Sequence, residues 1–345
     1  MRQLLAERLL LIQHASVVLC TRKGAADLAD VLDGLFSQSV GPALRWEIVV
    51  VDNGSPDDTA RVVREAARRA PVELRWVLEA EPGLSAARNR GWREARGEII
   101  AFIDDDCLPD PAWLRSLIDG YDAPDVAGVG GRLLPGIEPA DREAIEPAWL
   151  AIYTFDCGEL ARDVRILSGA NMSFRRAVLQ RLAGFDEQLG RIGRCLLGGD
   201  ETDVCRAILR EPGAQRIRYH PDAVARHKLS AAALSDALLT KRHYCGGVAN
   251  AILDRKERPG RRIGSLLGRA ARIAVWVARA ARRRVLRRAT GRLREIARWQ
   301  EFVGYAKERA GGIGLACRDC PMRPARERRL EVLAAQRHPA EGRPR

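Results

Sequence analysis

Between residues 16 and 130, short apolar runs rich in β-branched residues alternate with stretches of helical periodicity. Residues 16–20, 47–51, 74–78 and 98–103 read as strands. Residues 26–38, 57–70 and 85–95 read as the helices between them, and the first of these sets Leu28, Val31, Leu32 and Leu35 on one face. Strands joined by helices of this length pair in parallel. The strands are apolar throughout, as strands covered on both faces must be. The expected fold class is therefore α/β, a mostly parallel Rossmann-like sheet flanked by helices.

The rhythm changes after residue 131. Pro135, Pro139 and Pro147 interrupt a loop-rich stretch, and regular signals resume at 166–174, 176–182, 201–209 and 217–227. From residue 231 the pattern is helical, and beyond 254 it is rich in arginine. This places one domain at 15–230 and a helical, basic region at 231–345. There is no internal repeat.

Charge separates the two parts. The 345-residue chain has a net charge of +13, yet residues 254–345 alone hold 26 Lys/Arg against 9 Asp/Glu. A slightly acidic body thus carries a strongly basic tail, which suits a polyanionic partner. Nucleic acid is disfavoured, because only Trp276, Trp299, Phe302 and Tyr305 interleave with the arginines. An anionic membrane surface is the better partner. Residues 263–285 set Leu266, Leu267, Ile273, Val277 and Ala281 at roughly helical spacing amid arginines, the pattern of an interfacial amphipathic helix.

No stretch approaches the roughly 18–20 apolar residues that span a bilayer. The run Leu9 to Ile12 is too short for a signal sequence and follows Glu7 and Arg8. The eight cysteines are mostly isolated in apolar segments, and Cys317 and Cys320 form a single CxxC. That usage suits a reducing compartment. The expected location is cytoplasmic, peripheral on the cytoplasmic face of the membrane.

The chemistry concentrates at strand ends. Asp104-Asp105-Asp106 follows the apolar run Ile99 to Ile103, and ligands of parallel sheets bind beyond the carboxyl ends of the strands. Three adjacent carboxylates repel one another unless a cation neutralises them, and hard oxygen ligands suit Mg²⁺ or Mn²⁺. Asp52 ends a second strand before the Asn53-Gly54 turn. The helix opened by Glu81-Pro-Gly carries Arg88, which can pair with a phosphate or with a strand-end aspartate. No dinucleotide-binding or P-loop glycine pattern is present.

Taken in order, these pieces resemble the family-2 glycosyltransferases, inverting enzymes of the GT-A fold. The resemblance runs from about Ala15 to Lys228. It rests on Cys20-Thr-Arg22, Val51-Asp-Asn-Gly-Ser55, Gly83-Leu-Ser-Ala-Ala-Arg-Asn-Arg-Gly91, the Asp triplet, Ser168-Gly-Ala-Asn-Met-Ser-Phe-Arg175, Gly198-Gly-Asp-Glu-Thr-Asp203 and Tyr219 to His227.

The resemblance implies transfer of a sugar from a nucleotide-sugar donor, with UDP or dTDP favoured, to a saccharide, lipid-linked or small-molecule acceptor. It implies that Thr21, Arg22, Asp52, Arg88, Asp104 and Asp105 bind the nucleotide sugar. Asp106, Asp105 and His227 would hold Mg²⁺ or Mn²⁺, and Gly169, Asn171 and Trp149 would line the donor-sugar and acceptor cleft. Asp200 and Glu201 match the family's acidic pair, although the usual order is Glu-Asp. Glu201 is the expected base, with Asp200 the alternative and Asp203 orienting, so that all three count as catalytic candidates. Asp200 and Asp203 stand at the N-cap and near N3 of a helix, where they have backbone N–H groups to satisfy. Rival readings are a nucleotidyltransferase that makes a nucleotide sugar and a nucleic-acid-binding protein using the tail. The loop Cys20-Thr-Arg-Lys-Gly24 is too short and poor in glycine for a triphosphate.

Overall fold

The computed structural model describes residues 12–137, 145, 147–213, 215–229, 234–257 and 300–306. Contacts divide the chain into two compact units, residues 1–187 with 200–233, and residues 188–199 with 234–345. The amphipathic stretch 263–285 and the Cys317/Cys320 pair lie outside the described residues.

The first unit opens with β1 (His14–Thr21), α1 (Leu28–Phe36), β2 (Arg45–Asp52), α2 (Thr59–Ala67), β3 (Glu73–Leu78), α3 (Leu84–Glu94) and β4 (Ile99–Asp104). Each element expected from the sequence is present, the first two helices with ends drawn in by a few residues and α3 shifted by one. After β4 come β5 (Cys107–Pro109), α4 (Trp113–Asp119), β6 (Val126–Gly136), α5 (Pro147–Ile152), β7 (Arg162–Asp163), β8 (Asn171–Arg175), α6 (Arg176–Leu182), α7 (Asp200–Ile208) and β9 (Arg216–Lys228).

One nine-stranded sheet runs in the order β3-β2-β1-β4-β8-β6-β9-β5, with β7 paired to β9. The half built from β1 to β4 is parallel. The other half is mixed. β8 runs antiparallel between β4 and β6, β9 pairs parallel with β6, and β5 and β7 pair antiparallel with β9. The parallel pattern of the N-terminal half therefore does not extend across the whole sheet, because β8 is reached by a reversal of direction.

Side-chain alternation builds two apolar layers from the same strands. Val17, Leu19, Ile48 and Val50 face one layer, where they meet the Leu28, Val31, Leu32 and Leu35 stripe of α1. Val18, Val49, Val51 and Phe102 face the other, against Ala87 of α3, Val178 and Leu179 of α6, and Val204 and Ile208 of α7. Both faces are thereby covered, which explains why the strands show no polar side in the sequence.

Register aligns the strand ends. Thr21 stands beside Asp52 and Cys20 beside Asp104. Ile103 pairs with Asn171, which brings the start of β8 to the same edge. Cys107 pairs with His227, which brings the end of β9 to the residues that follow the Asp triplet.

In the second unit, Leu189, Cys195 and Leu197 pack with Val248, Ala249, Ile252 and Leu253 of α8 (Asp236–Glu257). Gly247 and Gly304 let α8 and the helical residues 300–306 meet backbone to backbone. A Cβ on Gly247 would overlap the Glu301 carbonyl oxygen, and one on Gly304 the Tyr244 carbonyl oxygen. Tyr305 is buried there and donates its hydroxyl to Asp254 Oδ2 at 3.0 Å. No described helix is long and apolar enough to cross a membrane.

Candidate active site

Three loops meet above the carboxyl ends of β1, β2 and β4. Asn53 N–H donates to the Thr21 carbonyl at 2.9 Å, and Lys23 N–H to Ser55 Oγ at 3.1 Å. Asp52 is buried and its Oδ1 accepts the Ser55 N–H at 2.8 Å, closing the turn predicted at Asn53-Gly54. Asn53 ties this turn to the loop before α3. Its amide donates to the Glu79 and Glu81 carbonyls, and its oxygen accepts the Gly83 N–H at 2.8 Å. Arg22 is exposed on the β1–α1 loop.

Thr21 Oγ1 donates to Asp105 Oδ2 at 2.6 Å. Gly24 lies against this pair, and a Cβ there would overlap Thr21 Oγ1. The close approach of Thr21 and Asp105 therefore favours glycine at this position. Burial, with Asp106 and Asp104 adding like charge, lifts the Asp105 carboxyl to about 7 against the pull of the Thr21 hydroxyl.

Arg88 is the buried hub. Its Nη1 donates to Asp200 Oδ2 at 2.5 Å. Its Nη2 reaches the Gly169 carbonyl at 2.8 Å and Asp104 Oδ1 at 3.3 Å. The side chain is only 3% exposed. Of the two partners the sequence offered it, phosphate or strand-end aspartate, the structure gives it the aspartate. Gly169 enters through its carbonyl, and Arg88 leaves its Cα little room for a side chain.

Asp200 and Glu201 open α7. Asp200 is the first residue inside the helix rather than its N-cap, and its carboxylate is committed to Arg88. The N-cap position expected for it is thus corrected, because the helix already includes Asp200 and its carboxylate meets the buried guanidinium. Burial would raise Asp200, but Arg88 holds it below the usual carboxylate range. Burial and the Asp200 charge together push Glu201 up to about 7. Asp203 lies in the first turn of the same helix.

Asp106 and His227 meet at the other side of the triplet, with Oδ1 to Nε2 3.5 Å. The His227 ring packs edge-on to Tyr153, their centroids 4.6 Å apart. Cys107 Sγ lies 3.6 Å from the same Asp106 oxygen. One ligand atom from each of Asp106, Cys107 and His227 falls within 4.8 Å of the others. Asp105, expected to share a cation with Asp106, is turned instead to Thr21. Cys107 was not singled out from the sequence. Its adjacency to the triplet was visible, but its pairing with His227 was not.

One further expectation changes, and another falls outside the described residues. Asn171 is fully buried, and its amide is taken up by the Arg132 and Ala223 carbonyls and by the Trp113 indole N–H. It holds the sheet beneath the cleft and offers no group to a sugar. Trp149 belongs to α5, and its side chain lies outside the described residues.

Residues 16–183 match the model described as Glycosyl transferase family 2. Residues 16–183 thus form a glycosyltransferase family 2 domain. This family-2 enzyme is 28% identical over 69% of its length to a glucosyl-dolichyl phosphate glucuronosyltransferase of Haloferax volcanii, of which it covers 77%. It is 27% identical, again over 69% of its length, to a pre-mycofactocin glycosyltransferase of Mycobacterium tuberculosis, of which it covers 47%. It thus spans about half of that second relative.

Among solved structures it resembles the mannosyltransferase PcManGT of Pyrobaculum calidifontis, which was determined with GDP-Man and Mn²⁺. The TM-score is 0.55 and the identity 22%, over 86% of this chain and 87% of that one. That likeness concerns the fold, which is GT-A.

Proposed function

We propose that this enzyme moves a sugar from a nucleoside-diphosphate sugar to an acceptor hydroxyl in a single displacement that inverts the anomeric carbon. The observation that carries the reading is the Arg88–Asp200–Glu201 arrangement. Asp200 is pinned as an anion by Arg88. Glu201 beside it is a carboxyl poised near 7, where a general base is most effective. Glu201 takes the acceptor hydroxyl proton as the oxygen attacks the anomeric carbon. Asp200 keeps that proton on Glu201 by its charge, and Arg88 prevents Asp200 from moving toward the sugar.

The donor side is the end of β1, β2 and β4. Asp52 and Thr21 frame the base and ribose, Arg22 borders the loop, and Asp104 and Asp105 face the phosphates. Asp106 and His227 suit a divalent cation, since a carboxylate oxygen and an imidazole nitrogen 3.5 Å apart converge on one point. Mn²⁺ or Mg²⁺ held there would offset the charge of the departing nucleoside diphosphate. Family membership favours consumption of a nucleotide sugar over its synthesis.

The acceptor we infer is lipid-linked, presented at the cytoplasmic face of a membrane. Support comes from the relative named for a dolichyl phosphate substrate and from the basic composition of residues 254–345. Purified enzyme incubated with Mn²⁺, a nucleotide-sugar panel and a polyprenyl phosphate glycolipid tests the whole reading. Release of nucleoside diphosphate that depends on both the lipid and Glu201 is the expected result. Release unchanged in Glu201→Gln would remove the base assignment. Truncation at about residue 255 is expected to release the protein from anionic liposomes.

A further inference from the structure

The metal-facing corner holds one donor that the reaction does not call for. Cys107 sits on β5 directly opposite His227 on β9. In an antiparallel pair, such opposition puts both side chains on one face of the ladder. The backbone fixes the third member, because Lys228 N–H donates to the Asp106 carbonyl at 2.7 Å. The His227 ring is held against Tyr153, and Cys107 is fully buried.

Spacing distinguishes the cations that fit. Tetrahedral bonds of about 2.3 Å to sulfur, about 2.1 Å to a carboxylate oxygen and about 2.0 Å to an imidazole put sulfur and oxygen about 3.6 Å apart. They put oxygen and nitrogen about 3.4 Å apart. Octahedral bonds of about 2.1 Å would set neighbouring donors about 3.0 Å apart. The observed separations are 3.6 Å from Cys107 Sγ to Asp106 Oδ1 and 3.5 Å from Asp106 Oδ1 to His227 Nε2. These two edges match the tetrahedral values, and the third, from sulfur to nitrogen, lies within 4.8 Å. A thiol donor also selects borderline and soft ions over Mg²⁺ and Mn²⁺.

We propose that Cys107 completes a tetrahedral oxygen–nitrogen–sulfur site with Asp106 and His227 that takes Zn²⁺ or Co²⁺ more tightly than Mn²⁺. The proposal rests on the reading of Asp106 and His227 as cation ligands. Binding forms a metal–sulfur bond, releases the thiol proton to the buffer and displaces coordinated water, with no change of oxidation state. The fourth position stays open to water or a phosphate oxygen.

Co²⁺ titration of the metal-stripped full chain reads the site directly. The chain carries the Cys317→Ser and Cys320→Ser changes, to remove the other thiol pair able to bind the ion. A sulfur-to-cobalt charge-transfer band together with intense tetrahedral visible bands is expected, and Zn²⁺ should bleach both at one equivalent. Cys107→Ser should lose the charge-transfer band. It should also weaken Zn²⁺ by at least the roughly 10–100-fold that loss of an outer-shell partner costs.

Should Cys107→Ser fold poorly, the parent spectrum still decides. Weak octahedral bands without charge transfer would overturn the proposal. A charge-transfer band that persists in folded Cys107→Ser would overturn it as well. The underlying reading fails separately, if Asp106→Ala leaves Mn²⁺-dependent nucleoside-diphosphate binding intact.

Discussion

The two carboxylate clusters of the site solve the same electrostatic problem differently. Asp104–Asp106 and Asp200–Glu201 each contain one carboxyl lifted to about 7 by burial and neighbouring negative charge. At the second cluster the protein supplies the compensating cation itself, since the Arg88 guanidinium is buried against Asp200. At the first, Arg88 reaches only Asp104, Thr21 offers Asp105 a hydroxyl, and Asp106 meets the imidazole of His227. A cluster neutralised from within can hold a base at a fixed proton affinity. The first cluster instead spreads its carboxylates over separate partners and brings Asp106 to the corner shared with His227 and Cys107, where a divalent cation is proposed. Each prediction below tests whether that division holds.

The largest effect is expected at Glu201. Glu201→Gln keeps a donor toward Asp200 but removes the base, so turnover should fall by roughly 10²–10⁴-fold with donor affinity almost unchanged. Turnover and calorimetric titration of the donor check the two halves of that statement. In the wild type, kcat/KM should rise with pH below about 7 and level off above it, as Glu201 loses its proton.

The same group has a signature in stability. Its folded value lies above the ordinary 4.5, so its favourable contribution is complete below 4.5 and fades as pH climbs through about 7. Glu201→Gln should therefore melt above wild type at pH 8, and the difference should shrink toward pH 5 and vanish below about 4.5. Equal melting differences at both values would show that Glu201 is not held near 7.

Arg88→Met tests whether the second cluster is neutralised internally. It strands the Asp200 carboxylate in a buried site, and loss of one member of a buried pair typically costs about 3–5 kcal/mol. Urea unfolding of Arg88→Met and of the double variant with Asp200→Asn separates pairing from packing, since the double variant should recover part of the loss. Asp106→Ala makes the complementary test at the first cluster. Mn²⁺-dependent nucleoside-diphosphate binding should weaken by at least about 10–100-fold while the fold is retained. Full turnover after EDTA treatment would argue against an external cation.

The smallest effect is at Asp203. It lies in the first turn of α7, where a carboxylate interacts with the helix dipole. Asp203→Asn should cost about 0.3–1 kcal/mol and leave turnover near wild type. A large loss of activity would give Asp203 a part in the chemistry.

The sequence by itself determined the N-terminal half of the fold and offered most of the polar residues that the structure gathers at the strand ends. The apolar strands and the α1 stripe carry their own periodicity, and period-two and period-3.6 patterns are local properties of the chain. The Asp triplet, Asp52, Arg88 and the 200–203 run stood out as residue types at strand and helix ends. What the sequence left open were the partners. Arg88 reaches Asp200 across 112 residues, and Cys107 meets His227, 120 residues further along the chain, across a strand pair.

The reversal at β8 was also hidden. Asn171 to Arg175 is short, and burial on both sides erases the alternation that marks an antiparallel strand. Local pattern shows what each segment can form. Only the folded chain decides which charges share a buried space, because desolvation and pairing depend on neighbours that the sequence keeps far apart.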